Sequence, residues 1–122
     1  MKVLLIDDNP HITEMFERFF KLKGIDCKVI NEGKSGLEEI KNEGYDVIFL
    51  DIAMSDFNGY DILKSLKNQN SKDKNIVILT ASNIDRNELD NFKDVGIREI
   101  LTKPVSLYEI DKIIQGIKSV SV

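Results

Sequence analysis

Short apolar runs alternate along this chain with segments of helical period, and each run stops on a polar residue. Val3, Leu4, Leu5 and Ile6 run into Asp7 and Asp8; Val47, Ile48, Phe49 and Leu50 run into Asp51. Ile76, Val77, Ile78 and Leu79 run into Thr80, and Ile100 and Leu101 lead through Thr102 to Lys103 and Pro104. Strand signals alternating with helix signals predict βαβ units and a parallel sheet. After the first run, Asn9 is a good N-cap and Pro10 fits the first helical position, where its missing N–H costs nothing. Ile12, Met15, Phe16, Phe19 and Phe20 then form one apolar stripe. Lys21 and Lys23 suit the negative end of that helix, and Gly24 stops it.

A second strand is predicted over residues 26–30 and a weaker helix over residues 35–42. Gly59 opens a helix reaching residue 67, residues 68–75 read as a polar loop, and residues 85–95 read as a mostly polar, loosely held helix. A fifth strand covers residues 98–101, and the last helix carries Leu107, Ile110, Ile113, Ile114 and Ile117 on one face. The first, third and fourth strands are apolar throughout, as strands covered on both faces must be. Lys28 and Glu99 interrupt the other two, which suits sheet edges. Right-handed crossovers then give the order 2-1-3-4-5, a flavodoxin-like, doubly wound, five-stranded parallel α/β sheet with helices on both faces. Its ligand crevice lies outside the carboxyl ends, where the order switches between strands one and three. Asp7, Asp8 and Asp51 fall there.

The 122 residues fit one domain, expected to span 1–122 and to bury a core without staples. A lone cysteine, Cys27, fits a reducing compartment. The first apolar run is too short for a signal peptide or a membrane span, so a cytoplasmic protein is expected. The net charge of −4, with no basic stripe, argues against direct nucleic-acid binding. Proteins and a cation are the expected partners.

Two carboxylates about 4 Å apart repel by roughly 4 kcal/mol at an effective dielectric near 20. Three at one strand edge favour a cation among them. A hard, oxygen-only site suits magnesium better than zinc, which prefers nitrogen and sulfur. Aspartate can also attack phosphorus to form an aspartyl phosphate, whose developing charge such a cation neutralises.

Asp7 and Asp8 after the first strand, Asp51 after the third, Thr80 and Ala81 after the fourth, and Lys103 and Pro104 after the fifth resemble the receiver domain of two-component response regulators. The resemblance covers nearly the whole chain, and it fits either the single-domain, chemotaxis-regulator-like form or the receiver part of a larger regulator. It implies a phosphorylation-dependent switch, not a turnover enzyme, in which Asp51 accepts a phosphoryl group from a partner's phosphohistidine with Mg²⁺. Asp8, Asp51 and the main-chain carbonyl of Ala53 would hold the metal, with Asp7 acting through water or in support. Lys103, Thr80 and Ala81 would contact the phosphoryl group. Pro104, a cis-proline site in the family, would turn Lys103 inward, and Gly59 would be structural. A histidine kinase or phosphotransfer protein would be the donor, and a target protein or a phosphorylation-dependent dimer would read the surface of the fourth helix, fifth strand and fifth helix. Three positions depart from the family's pattern. Ser55 stands where proline is common, leaving that loop less constrained but away from the chemistry. Ile100 occupies the switch-aromatic position, and the small Ala53 and Ser82 favour slow self-dephosphorylation.

Taken singly, each motif has a plainer account: a capping pair for Asp7 and Asp8, a loop acid for Asp51, a strand end for Thr80, a solvated lysine for Lys103. Together they do not. His11 reads as solvated, Cys27 as a small buried apolar residue, and Tyr60 and Tyr108 as helix packing. A phosphohydrolase with a first-strand Asp-x-Asp nucleophile fits poorly, and Asp7 and Asp8 would repel a flavin phosphate.

Overall fold

The computed structural model describes residues 1–42, 44–82 and 84–120. Among these, five strands, β1 (Lys2–Ile6), β2 (Asp26–Ile30), β3 (Val47–Asp51), β4 (Ile76–Thr80) and β5 (Ile97–Thr102), alternate with five helices. The helices are α1 (Pro10–Lys23), α2 (Gly33–Asn42), α3 (Gly59–Asn68), α4 (Arg86–Asp90) and α5 (Leu107–Val120). All strand pairings are parallel, in the order β2-β1-β3-β4-β5. The doubly wound sheet predicted from the apolar runs is the one observed.

Alternation along each strand divides the core into two layers, because successive side chains point to opposite faces. Leu4, Ile6, Ile48, Leu50, Ile76 and Ile78 pack with Ile40 of α2, Ile62, Leu63 and Leu66 of α3, and Leu89 of α4. Val3, Leu5, Val47, Phe49, Val77 and Leu79 pack on the other side with Phe16 and Phe20 of α1 and Ile110, Ile113, Ile114 and Ile117 of α5. Phe49 meets Phe16 edge-on with ring centroids 5.0 Å apart, a favoured aromatic geometry. Asn9 caps α1 by accepting from the His11 N–H, and Gly24 ends it with a left-handed φ of 68°.

Four local expectations are corrected. The helix over 85–95 is helical only from Arg86 to Asp90. Beyond it the Phe92 N–H donates to the Leu89 carbonyl at 2.9 Å and the Val95 N–H to the Phe92 carbonyl at 3.0 Å. Those i to i+3 bonds tighten the chain to about three residues per turn, which stacks Leu89, Phe92 and Val95, all buried, on one side. α2 begins at Gly33, earlier than predicted, where the Gly36 N–H donates to the Glu32 carbonyl at 2.9 Å; that position takes glycine because a Cβ on it would run into the Phe57 carbonyl oxygen of the loop after β3. Leu107 opens α5 but is exposed, and Tyr108 is 76% exposed, about 200° around the helix from the buried Ile110. Neither packs into the core. Cys27 is half-buried, with its thiol pushed up to about 12, chiefly by burial.

Truncating Phe49, which is fully buried, should cost about 3–5 kcal/mol. Urea unfolding of Phe49→Ala should therefore show a midpoint far below that of the parent, with little change in slope.

Candidate functional site

The strand registers carry the chemical residues to one edge. Ile6 pairs with Leu50, so Asp7 is level with Asp51. Asp51 pairs with Leu79, one residue before Thr80, and Thr80 pairs with Thr102, one residue before Lys103. The Lys103 N–H also donates to the Thr80 carbonyl at 2.7 Å. Asp7, Asp51 and Thr80 are the buried polar residues among those described. All three lie at this carboxyl edge.

Burying carboxylates is costly without donors or a counter-charge. Asp7 Oδ1 accepts the Asn9 N–H at 2.9 Å, and Asp51 Oδ1 accepts the Ala53 N–H at 3.1 Å. Asp7 Oδ2 has no hydrogen-bond donor. Its compensation comes from Lys103, whose ammonium sits 3.1 Å away and 3.5 Å from Asp51 Oδ2. One lysine thus bridges two buried acids, while Asp8 stands exposed beside them. Burial is the main cause that raises the Asp7 carboxyl above its ordinary value of 3.8; the Asn9 N–H opposes it, the Asp51 charge adds to it, and Lys103 lowers it.

Asp7, Asp8 and Asp51 each offer one oxygen, all within 4.8 Å of one another. With one ammonium against three carboxylates and an orphaned buried oxygen, the pocket suits a hard divalent cation held by oxygen. His11 is exposed and lies outside this group. The Thr80 hydroxyl donates to the Ser82 carbonyl at 2.8 Å and accepts from the Ser82 N–H at 3.3 Å, so its bonds stay within its own loop. The Lys103–Pro104 peptide is cis. Ile100 pairs with Ile78 and packs, half-buried, on the α2–α4 side of the sheet.

Glycine at the head of α3 has a steric cause. A Cβ on Gly59 would lie 2.7 Å from both the Asp51 carbonyl oxygen and the Ile52 Cα. The helix therefore approaches the acid's backbone as only glycine allows, with Asn58 and Asp61 closing a reciprocal cap. Ser55 does touch the site, contrary to expectation: its hydroxyl is 3.5 Å from Asp8 Oδ2. Gly33, which seats the same loop, was also missed. Neither contact has a local signature, because each joins residues far apart in the chain. Tyr60 ties α3 to α4 by donating to Glu88 at 3.0 Å, whereas Tyr108 stands largely exposed.

The fold and this crevice define a doubly wound α/β domain with an acidic, lysine-bridged site at its switch point. Residues 3–115 match the family described as the response regulator receiver domain, and the chain belongs to that family. The receiver domain of Francisella response regulator 1452 superposes with a TM-score of 0.83 at 32% identity, over 99% of this chain and 98% of that one. A two-component response regulator from Clostridium difficile superposes at 0.81 with 27% identity, over 98% and 96% of the two chains. The transcriptional regulatory protein YclJ of Bacillus subtilis is 29% identical over 87% of this chain but only 45% of its own length. The transcriptional activator PfeR of Pseudomonas aeruginosa is matched over 35% of its length. The chain thus spans less than half of these curated relatives. None of the helices among the described residues is long and apolar enough to cross a membrane.

Because the folded Asp7 carboxyl titrates above its unfolded value, its ionised form is the unfavourable one. Its contribution to stability is fully present below pH 3.8 and is lost as the pH rises through the elevated folded value. Asp7→Asn in EDTA should therefore melt at a higher temperature than the parent at pH 7, and the gap should close in acid. Equal melting temperatures at pH 7 would contradict this.

Proposed function

We propose that the protein is a phosphorylation-dependent switch whose phosphoacceptor is Asp51. The observation that carries this reading is the bridge of Lys103 to Asp7 and Asp51, beside a third carboxylate, at the carboxyl edge of the sheet. Asp51 Oδ1 is held by the Ala53 N–H, which leaves Oδ2 to attack. The Asp51 oxygen forms a bond to phosphorus as the P–N bond of a partner's phosphohistidine breaks, and the imidazole leaves with the bonding pair and takes up a proton. Lys103 then pairs with a phosphoryl oxygen, a charge-assisted contact from a mobile point charge. Thr80 and the backbone at Ala81 supply further contacts once the Thr80 hydroxyl gives up its bonds to Ser82.

Asp8, Asp51 and the Ala53 carbonyl hold magnesium in this reading, with Asp7 acting through water or as support. A magnesium ion held there would supply positive charge against the phosphoryl oxygens. The orphaned Asp7 Oδ2 and the all-oxygen donor set support the assignment. The protein acts in the cytoplasm on its own acceptor rather than turning over a substrate, and 1–122 forms one receiver unit. A histidine kinase or phosphotransfer protein donates. The readout face is α4, β5 and α5, where the short α4 is weakly built and Leu107 and Tyr108 stand exposed. A target protein or a second copy docks there. The shift must come from stronger interaction of the phosphoryl group with one of two pre-existing states. With Ile100 in place of an aromatic ring, the shift proceeds without a swinging ring.

Asp51→Asn should take up no label from radioactive acetyl phosphate with magnesium; labelling at the parent's level would remove Asp51 as acceptor. Magnesium at ten times its dissociation constant should stabilise the parent by about 1.4 kcal/mol, and the melting shift should shrink sharply in Asp8→Asn.

A further inference from the structure

The loop after β3 reaches the loop after β1 through a polar contact between Ser55 and Asp8. The Ser55 hydroxyl lies 3.5 Å from Asp8 Oδ2, the one polar contact made by that carboxylate among the described residues. Asp8 is otherwise exposed, and a free carboxylate on a loop populates several rotamers. Ser55 is presented from a firmer base. Met54 before it is buried among the side chains of the α2–α3 layer. Phe57 after it has its carbonyl oxygen hard against Gly33, where a Cβ would come within 1.9 Å. Between them Asp56 takes a left-handed backbone with φ 60°, which turns the chain directly after Ser55.

We propose that Ser55 is a positioning residue for cation capture, its hydroxyl donating to Asp8 and holding that carboxylate toward Asp7 and Asp51. The inference rests on the reading that these acids hold magnesium. A carboxylate has lone pairs enough to accept the hydroxyl and still ligate a cation. Ordering Asp8 beforehand removes part of the rotamer entropy that binding would otherwise cost. The loop after β3 thereby tunes the ligand contributed by the loop after β1, two segments that the sequence keeps far apart.

Calorimetric magnesium titrations of the parent, Ser55→Ala and Ser55→Thr test this, with melts of each in EDTA. Ser55→Ala should bind magnesium about three- to tenfold more weakly, less than the usual loss for a buried outer partner because this contact is long and solvent-facing. Ser55→Thr, which keeps the hydroxyl, should bind like the parent, and all three should melt together in EDTA. The rate of phosphorylation by acetyl phosphate in Ser55→Ala should return to the parent's at saturating magnesium, which a damaged fold would not allow. Binding by the parent with unchanged affinity in Ser55→Ala overturns this inference alone, as does a rate loss that magnesium does not restore. A parent that binds no magnesium overturns the cation reading and this inference with it.

Discussion

Negative charge held at the edge of an apolar sheet is the constraint around which this molecule is arranged. Asp7 and Asp51 are buried where β1 and β3 end, and Lys103 is the counter-charge that reaches both. Its side chain is itself only 18% exposed, so the compensation acts in a medium less polar than water, where each unit of charge counts for more. The balance is incomplete: one acid oxygen has no donor, and a third carboxylate stands beside it. A site left short of positive charge is poised for a cation, and a phosphoryl group brings further charge that both cation and lysine can meet.

The scaffold serves that arrangement by being rigid where the acids sit and weaker where a response must travel. β3 and β4 are buried along their whole length, and the glycines at 33 and 59 let two helices close on the loop around Asp51. Toward the β5 edge of the sheet, α4 has five residues and is followed by tight turns. Segments with few buried contacts open at lower free energy than a core strand. Thr80 lies on the boundary between these regions, its backbone joined to Lys103 and its hydroxyl to its own loop.

Much of this was legible beforehand because the apolar runs in β1, β3 and β4 were uninterrupted and α1 and α5 carried clear stripes. Lys28 and Glu99 marked the edge strands correctly. The mostly polar segment 85–95 reads as one loosely held helix, whereas Leu89, Phe92 and Val95, spaced by three, stack through tight turns beyond Asp90. The stripe on α5 was read one residue too far, to Leu107, because helical phase does not say where packing begins.

The sequence by itself determined which residues carry charge and at which strand ends they stand, because the apolar runs mark the strands and their pattern with the handedness of crossovers gives the strand order. Tertiary structure decided what those groups touch. That Lys103 spans two acids, that Thr80 bonds within its own loop, that Ser55 reaches Asp8 and that Gly33 seats the Phe57 carbonyl depend on ångström-scale approaches between loops distant in the chain. Local propensity carries no record of such distances, which are fixed only when two packed layers bring the loops together.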